Sequence, residues 1–152
     1  MSMQNIDKKS FYMLSWTWGF ILSFIGLLVV SGIKLYGLIT KKHYQLKHHG
    51  WCYYLNVGSS WGGLEFGMFF LTDENDSLHT KDHEFGHGIQ NCFWGPLFLF
   101  VIFIPSAIRY WYREFRYNRK GVNPPTAYDD IWFEQQASEI GKLYRKNIEA
   151  GN

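Results

Sequence analysis

The sequence predicts a mostly α-helical protein with a short β-hairpin. An N-terminal transmembrane helix precedes a small α+β portion that carries a second, membrane-embedded or re-entrant apolar segment. Three observations predict this. Phe11 to Ile33 runs without a charge between Lys8-Lys9 and Lys34, long enough to cross a hydrocarbon core of about 30 Å. Residues 51–71 alternate aromatic and branched runs with glycine turns. Hydrophobic residues make up 47% of the chain and aromatics 20%, yet mean hydropathy is −0.20. A mostly transmembrane bundle would score well above zero, so one or two apolar segments are attached to a polar portion. The division is residues 1–40, a tail and anchor, and 41–152, the remaining domain.

The elements follow in order. Trp16, Trp18 and Tyr36 sit where interfacial aromatics are expected at the ends of the anchor. The lysines before it mimic a signal-peptide n-region. No alanine precedes Ala107 to make a small-residue cleavage site, so the anchor is expected to be retained. Trp51 to Val57 reads as a strand, Gly58-Ser59-Ser60 as a turn, and Gly63 to Leu71 as the returning strand of a hairpin over 51–71. The polar run Thr72 to Ser77 ends on Asp76 or Ser77, either of which can cap a helix over 78–94, with Asp82 favouring its dipole. Gly95-Pro96 breaks that helix. Residues 96–108 are apolar, and 109–120 interleave arginine with tyrosine, tryptophan and phenylalanine. A linker with Pro124-Pro125 leads to a last helix over 129–148.

Ile89 to Ile108 is also uncharged. On length it is a second span; Gly95-Pro96 and Pro105 favour instead two short helical pieces folded at the membrane surface. The basic-aromatic run 109–120 suits lipid headgroups on the cytoplasmic face. A net charge of +2 and two apolar neighbours argue against a nucleic-acid partner.

His83-Glu84-Phe85-Gly86-His87 spells H-E-x-x-H. On a helix, positions i and i+4 share a face, so both imidazoles can bind one ion, with Glu84 placed as general base. An incidental helix face and a non-catalytic metal site are the plainer readings. A catalytic zinc needs a third protein ligand, and no third histidine follows in register, Gln90 standing where a glycine would be expected. The segment Glu134-Gln135-Gln136-Ala137 resembles the E-x-x-A second motif of gluzincin metallopeptidases. The chain thus looks like a small membrane-associated bacterial member of the HExxH zinc peptidases, over residues 83–87 firmly and 134–137 loosely. The resemblance implies a zincin-like domain with one zinc held by His83, His87 and Glu134. It also implies that water activated by zinc gives its proton to Glu84, and that the strand at Gly63–Leu71 binds a peptide or protein substrate by strand addition. Glu139, Asp130 and His79 are alternative third ligands.

Other polar residues have two readings each. Tyr128 and Tyr144 can donate to a transition-state oxyanion. Asp129-Asp130 can orient a ligand imidazole or cap the last helix. His43, His48 and His49 read as surface residues among lysines. Cys52 and Cys92 match neither a disulfide framework nor a thiolate zinc site.

The sequence therefore predicts a membrane-associated zinc metallopeptidase, integral to the bacterial cytoplasmic membrane, with its basic C-terminal region cytoplasmic. A non-enzymatic membrane protein with a structural or inactive metal site is the alternative, and a metal-dependent hydrolase of non-peptide bonds a third. One condition binds chemistry to topology. Glu134 reaches the histidines only if the chain turns back near Gly95-Pro96.

Overall fold

The computed structural model describes residues 3–59 and 61–151. A 3₁₀ turn at Met3–Asn5 leads into α1 (Lys8–Trp16) and α2 (Phe20–Thr40). Four short strands follow: β1 (Lys47–His49), β2 (Cys52–Asn56), β3 (Gly63–Phe66) and β4 (Phe69–Thr72). Then come α3 (Leu78–Trp94), a 3₁₀ turn at Gly95–Leu97, a π-helical stretch at Leu99–Phe103, α4 (Ile104–Arg116) and α5 (Trp132–Glu149). The architecture is mostly helical around one small sheet.

The first apolar run is divided rather than continuous. The amides of Thr17 and Gly19 both return to the Leu14 carbonyl, at 3.3 and 2.7 Å, which closes α1 and starts α2 at Phe20. The helix long and apolar enough to cross a membrane is therefore Phe20–Thr40, displaced from the expected Phe11–Ile33. Asp7 caps α1 by accepting from the Ser10 amide at 2.7 Å. Phe11 of α1 and Ile6 before it are buried in the same core as Phe85, Ile89 and Tyr144, so packing does not stop at residue 40.

The hairpin expected over 51–71 is replaced by a four-stranded sheet of order β1-β2-β4-β3. Gly67, at φ +67°, folds residues 63–72 back on themselves, a conformation that costs glycine little. β3 and β4 pair antiparallel, and β4 then pairs parallel with β2. β1, three residues long, adds antiparallel to the other side of β2; so short a strand carries too little alternation to be read from sequence. Tyr54 and Phe70 stack face to face across the parallel pair, 4.9 Å between centroids.

α3 starts and stops at the expected residues. Ser77 accepts from the Thr80 amide at 3.0 Å, satisfying one of the free donors of the first turn. Asp82 is not in that turn and does not serve the dipole. Its two oxygens share the Arg145 Nε–H, at 2.9 and 3.1 Å, and Oδ1 lies 2.8 Å from His49 Nε2. This ties β1, α3 and α5 together, and it moves His49 from the expected surface into a half-buried ion cluster.

Gly95, φ +54°, ends α3, and the chain turns three residues later, at Phe98. The arm Leu78–Leu97 meets the arm Leu99–Lys120 at 113°, and α5 then packs along α3. Arg109 and Arg113 of α4 do not point outward as a headgroup anchor would. They donate to the backbone carbonyls of Ala127, Tyr128 and Thr126 at 2.9–3.1 Å, fixing the segment that leads into α5.

Candidate metal centre

The site forms where α3 crosses α5 at unusually short range. A Cβ on Gly86 would lie 1.9 Å from the Ala137 carbonyl oxygen, and one on Gly141 1.7 Å from that of Asp82. Only glycine at both positions permits this crossing. Ala137, one turn after Glu134, is fully buried, its backbone carbonyl against Gly86 of α3. The crossing carries Glu134 onto the face that displays His83 and His87.

Three ligand atoms converge there. His83 Nε2 lies 3.0 Å from Glu134 Oε2, His87 Nε2 lies 3.2 Å from the same oxygen, and the two nitrogens are 3.1 Å apart. All three residues are buried, and together they can hold a metal ion. An ion with tetrahedral bonds of about 2.0 Å separates its ligand atoms by about 3.3 Å. The triangle is that size, so the donor set fits such an ion with little adjustment.

The far side of each imidazole is fixed. His83 Nδ1 lies 2.8 Å from Ser138 Oγ, and Ser138 donates onward to Asp129 Oδ2 at 2.8 Å. Since the serine proton goes to Asp129, the Nδ1 proton belongs to His83. His87 Nδ1 lies 2.8 Å from Gln90 Oε1, which only accepts; the Gln90 amide nitrogen donates to the Phe133 carbonyl and to Gln136, both at 2.9 Å. Both rings therefore carry their neutral-state proton on Nδ1 and turn a lone pair at Nε2 toward the point where the three residues converge. Ser106 of α4 donates to Glu134 Oε1, leaving Oε2 for the centre.

Electrostatics agree with this arrangement. Burial opposes ionisation of Glu134, but hydrogen bonds with His83, His87 and Ser106 outweigh it and hold the carboxyl well below the usual range. Burial disfavours a charged His87, yet the Glu134 hydrogen bond and charge, with Glu84 and Glu65 behind, push it up to about 9. Without metal, that proton bridges the pair; metal binding displaces it. Burial raises Glu84, against the pull of His83 and His87.

A cleft of about 580 Å³ opens onto the centre, lined by His83, Glu84 and His87 and walled by β3, α4 and the Tyr128 segment. Glu84 lies against Gly63 of β3, its Oε1 occupying the space a Cβ there would need. Sheet order leaves β3 an edge strand.

The remaining sequence candidates sort by position. His79 is largely exposed and meets Asp129 at 3.3 Å; Glu139 pairs with Gln135 at 2.8 Å; Asp130 accepts from the Ala127 amide at 2.9 Å, capping the turn before α5. None of the three joins the centre. Asp129 acts on His83 through Ser138. Tyr128 stands in the cleft with its hydroxyl 3.0 Å from Ser106 Oγ, kept protonated by burial and by Glu134. Tyr144 lies elsewhere, accepting from the Ile6 amide at 2.7 Å and donating to the Met3 carbonyl at 2.8 Å. Cys52 and Cys92 are free and buried.

Sequence reasoning missed four residues: Ser106, Ser138, Gln90 and Glu65. Gln90 carried a signal, lying three positions after His87 on one helix face. Glu65 also carried one, as the single charge in Gly62 to Leu71. It is buried, lines the cleft, and neither oxygen has a hydrogen-bond partner among the described residues. Burial pushes it up to about 8; the charge of His87 opposes this and that of Glu84 adds to it.

No protein-family model, curated protein or solved structure matches this chain.

Proposed function

We propose that the protein is a membrane-associated zinc-dependent metallopeptidase, with His83, His87 and Glu134 as metal ligands and Glu84 as general base. The observation that carries this reading is the triangle of two imidazole nitrogens and one carboxylate oxygen, 3.0–3.2 Å on a side, beside a carboxylate in an open cleft. Two nitrogens and one oxygen with a position left free is the donor set of hydrolytic zinc. A purely structural site closes all four positions with protein ligands; the cleft supports the enzymatic reading over that one. The ion would supply Lewis acidity toward the scissile carbonyl and toward water.

The chain supplies the rest. Glu84 takes the proton of the attacking water and returns it to the leaving amine, and its burial raises its proton affinity toward that task. The neutral Tyr128 hydroxyl, which donates to Ser106 Oγ in this state, turns from it to donate to the developing oxyanion. The outer edge of β3 pairs with an extended peptide and holds its backbone along the cleft. Ser138 with Asp129, and Gln90, keep the two rings from rotating, while Ser106 steers Glu134.

Metal analysis of chain purified without chelators tests the assignment. About one zinc per chain is expected, lost in His83→Ala, weakened in Glu134→Ala and retained in Glu84→Gln. Wild-type protein that holds no zinc would sink the reading. Cleavage of a random peptide library by wild type and not by zinc-loaded Glu84→Gln separates peptidase from metal-binding scaffold. In that pair, turnover is expected to fall by about 10²–10⁴.

A further inference from the structure

Both flanks of α2 are fastened to one folded body. Before the helix, Ile6 and Met3 are bonded to Tyr144 of α5, and Phe11 sits in the core with Phe85 and Ile89. Along the helix, Ser23 Oγ accepts from the Met68 amide at 3.2 Å, and Gly26 lies against Phe66 and Phe69. Val30 joins the core, and Gly37 lies against the Lys42 carbonyl and Tyr44. From Ser23 to Gly37 that is about 21 Å of helix at 1.5 Å per residue. After the helix, β1 begins at Lys47 and pairs with β2 of the same sheet.

We propose that α2 does not cross the bilayer but lies in the plane of its surface, as the lipid-facing side of a monotopic protein. A crossing helix would carry residues 3–16 to one side and residues 41–151 to the other, yet these two parts share a core. Keeping a crossing would instead sink the sheet into hydrocarbon. The outer edge of β1, with exposed Lys47 and His48, would then meet lipid, where unpaired strand edges are not tolerated.

The pattern of exposure around α2 fits the same orientation. At about 100° per residue, the buried stripe Leu22, Gly26, Val30 and Gly37 stands opposite Ile21, Phe24, Leu28 and Leu35, all exposed and all apolar. Lys34 and Tyr36 fall on the two flanks between these faces, where an in-plane helix meets headgroups. A second exposed apolar stripe runs along the arm after the bend: Phe100, Ile104, Ile108 and Phe115, with Trp111 at its border with the cleft. On its inner side the same arm shares a buried cluster with α2, formed by Leu22, Phe98 and Ile102. The basic residues Arg116, Arg119 and Lys120 at its far end suit an anionic lipid surface. α4 thus shows one face to lipid while Ser106 and Tyr110 on another line the metal-site cleft.

Single cysteines at Lys9→Cys and Lys42→Cys, on either side of α2, test the orientation in the full chain, because Cys52 and Cys92 are buried and give little background. A membrane-impermeant maleimide is applied to sealed right-side-out and inverted vesicles from expressing cells. Both positions are expected to label together from the same side. Labelling from opposite sides overturns the proposal. Fluorophores at Ile21→Cys, Leu28→Cys and Leu35→Cys, in vesicles carrying lipid-borne quenchers at known depths, give an independent measure. Equal, shallow depths of about 5–10 Å are expected. A profile deepest at Leu28 shows a crossing, and quenching by aqueous iodide at all three shows no lipid contact; either result overturns it.

Discussion

Ser138 stands between Asp129 and His83, and its hydroxyl decides which imidazole nitrogen faces the ion. Replacing it by alanine removes that orientation without touching a ligand. Ser138→Ala is expected to weaken zinc binding by about 10–100-fold, measured by competition with a chromogenic chelator, while thermal stability without metal changes little. Glu65 makes a different prediction. In the chelated, metal-free protein its carboxyl stays protonated to about pH 8, whereas in the unfolded chain it ionises near the ordinary value. Between those limits the folded state binds more protons, so its contribution to stability falls as pH rises from about 4.5 to about 8 and is then constant. Glu65→Gln is expected to remove this slope and to gain stability over wild type by a few kcal/mol at the upper limit, read from urea unfolding at a series of pH values. The three residues that gather in the cluster able to hold a metal were legible in five adjacent letters and one resemblance. Their supports were not, because a serine 55 positions from the histidine it orients leaves no local pattern.

Gly86 and Gly141 set the distance between α3 and α5, and the centre depends on that distance. Gly86→Ala would drive a methyl group into the Ala137 carbonyl, a backbone atom that cannot rotate aside. Destabilisation of about 1–3 kcal/mol or more is expected together with loss of stoichiometric zinc. Gly32→Ala is the control, since nothing lies within 4 Å of its side. Helix α3 was readable end to end because its cap at Ser77 and its stop at Gly95-Pro96 are local chemistry. The sheet was misread for the opposite reason. Gly67 looked like one more glycine within a strand, and its positive φ, which makes the β3–β4 hairpin and frees β4 to pair parallel with β2, follows from packing against Ser23 of α2.

For the whole molecule, the candidate ligands come from two helices that the unfolded chain does not hold together, so a metal held by them would bind the native state almost alone. Stripping zinc with a chelator is expected to lower the melting temperature by several degrees. The shift should grow with free zinc as the logarithm of its concentration and be absent in His83→Ala. Composition announced an apolar chain with a polar remainder, but how the apolar helix sits depended on long-range bonds such as Tyr144 to Met3 and Ile6, which hydropathy does not encode. The tight seat of Ala137 against Gly86 also has a consequence in time. His87 and Glu134 are 47 positions apart, so the centre exists only after that loop has closed, a step set by chain diffusion rather than by helix formation. During refolding, zinc uptake should lag the gain of helical signal and coincide with the docking of α5, making the ion a clock for the last stage of assembly.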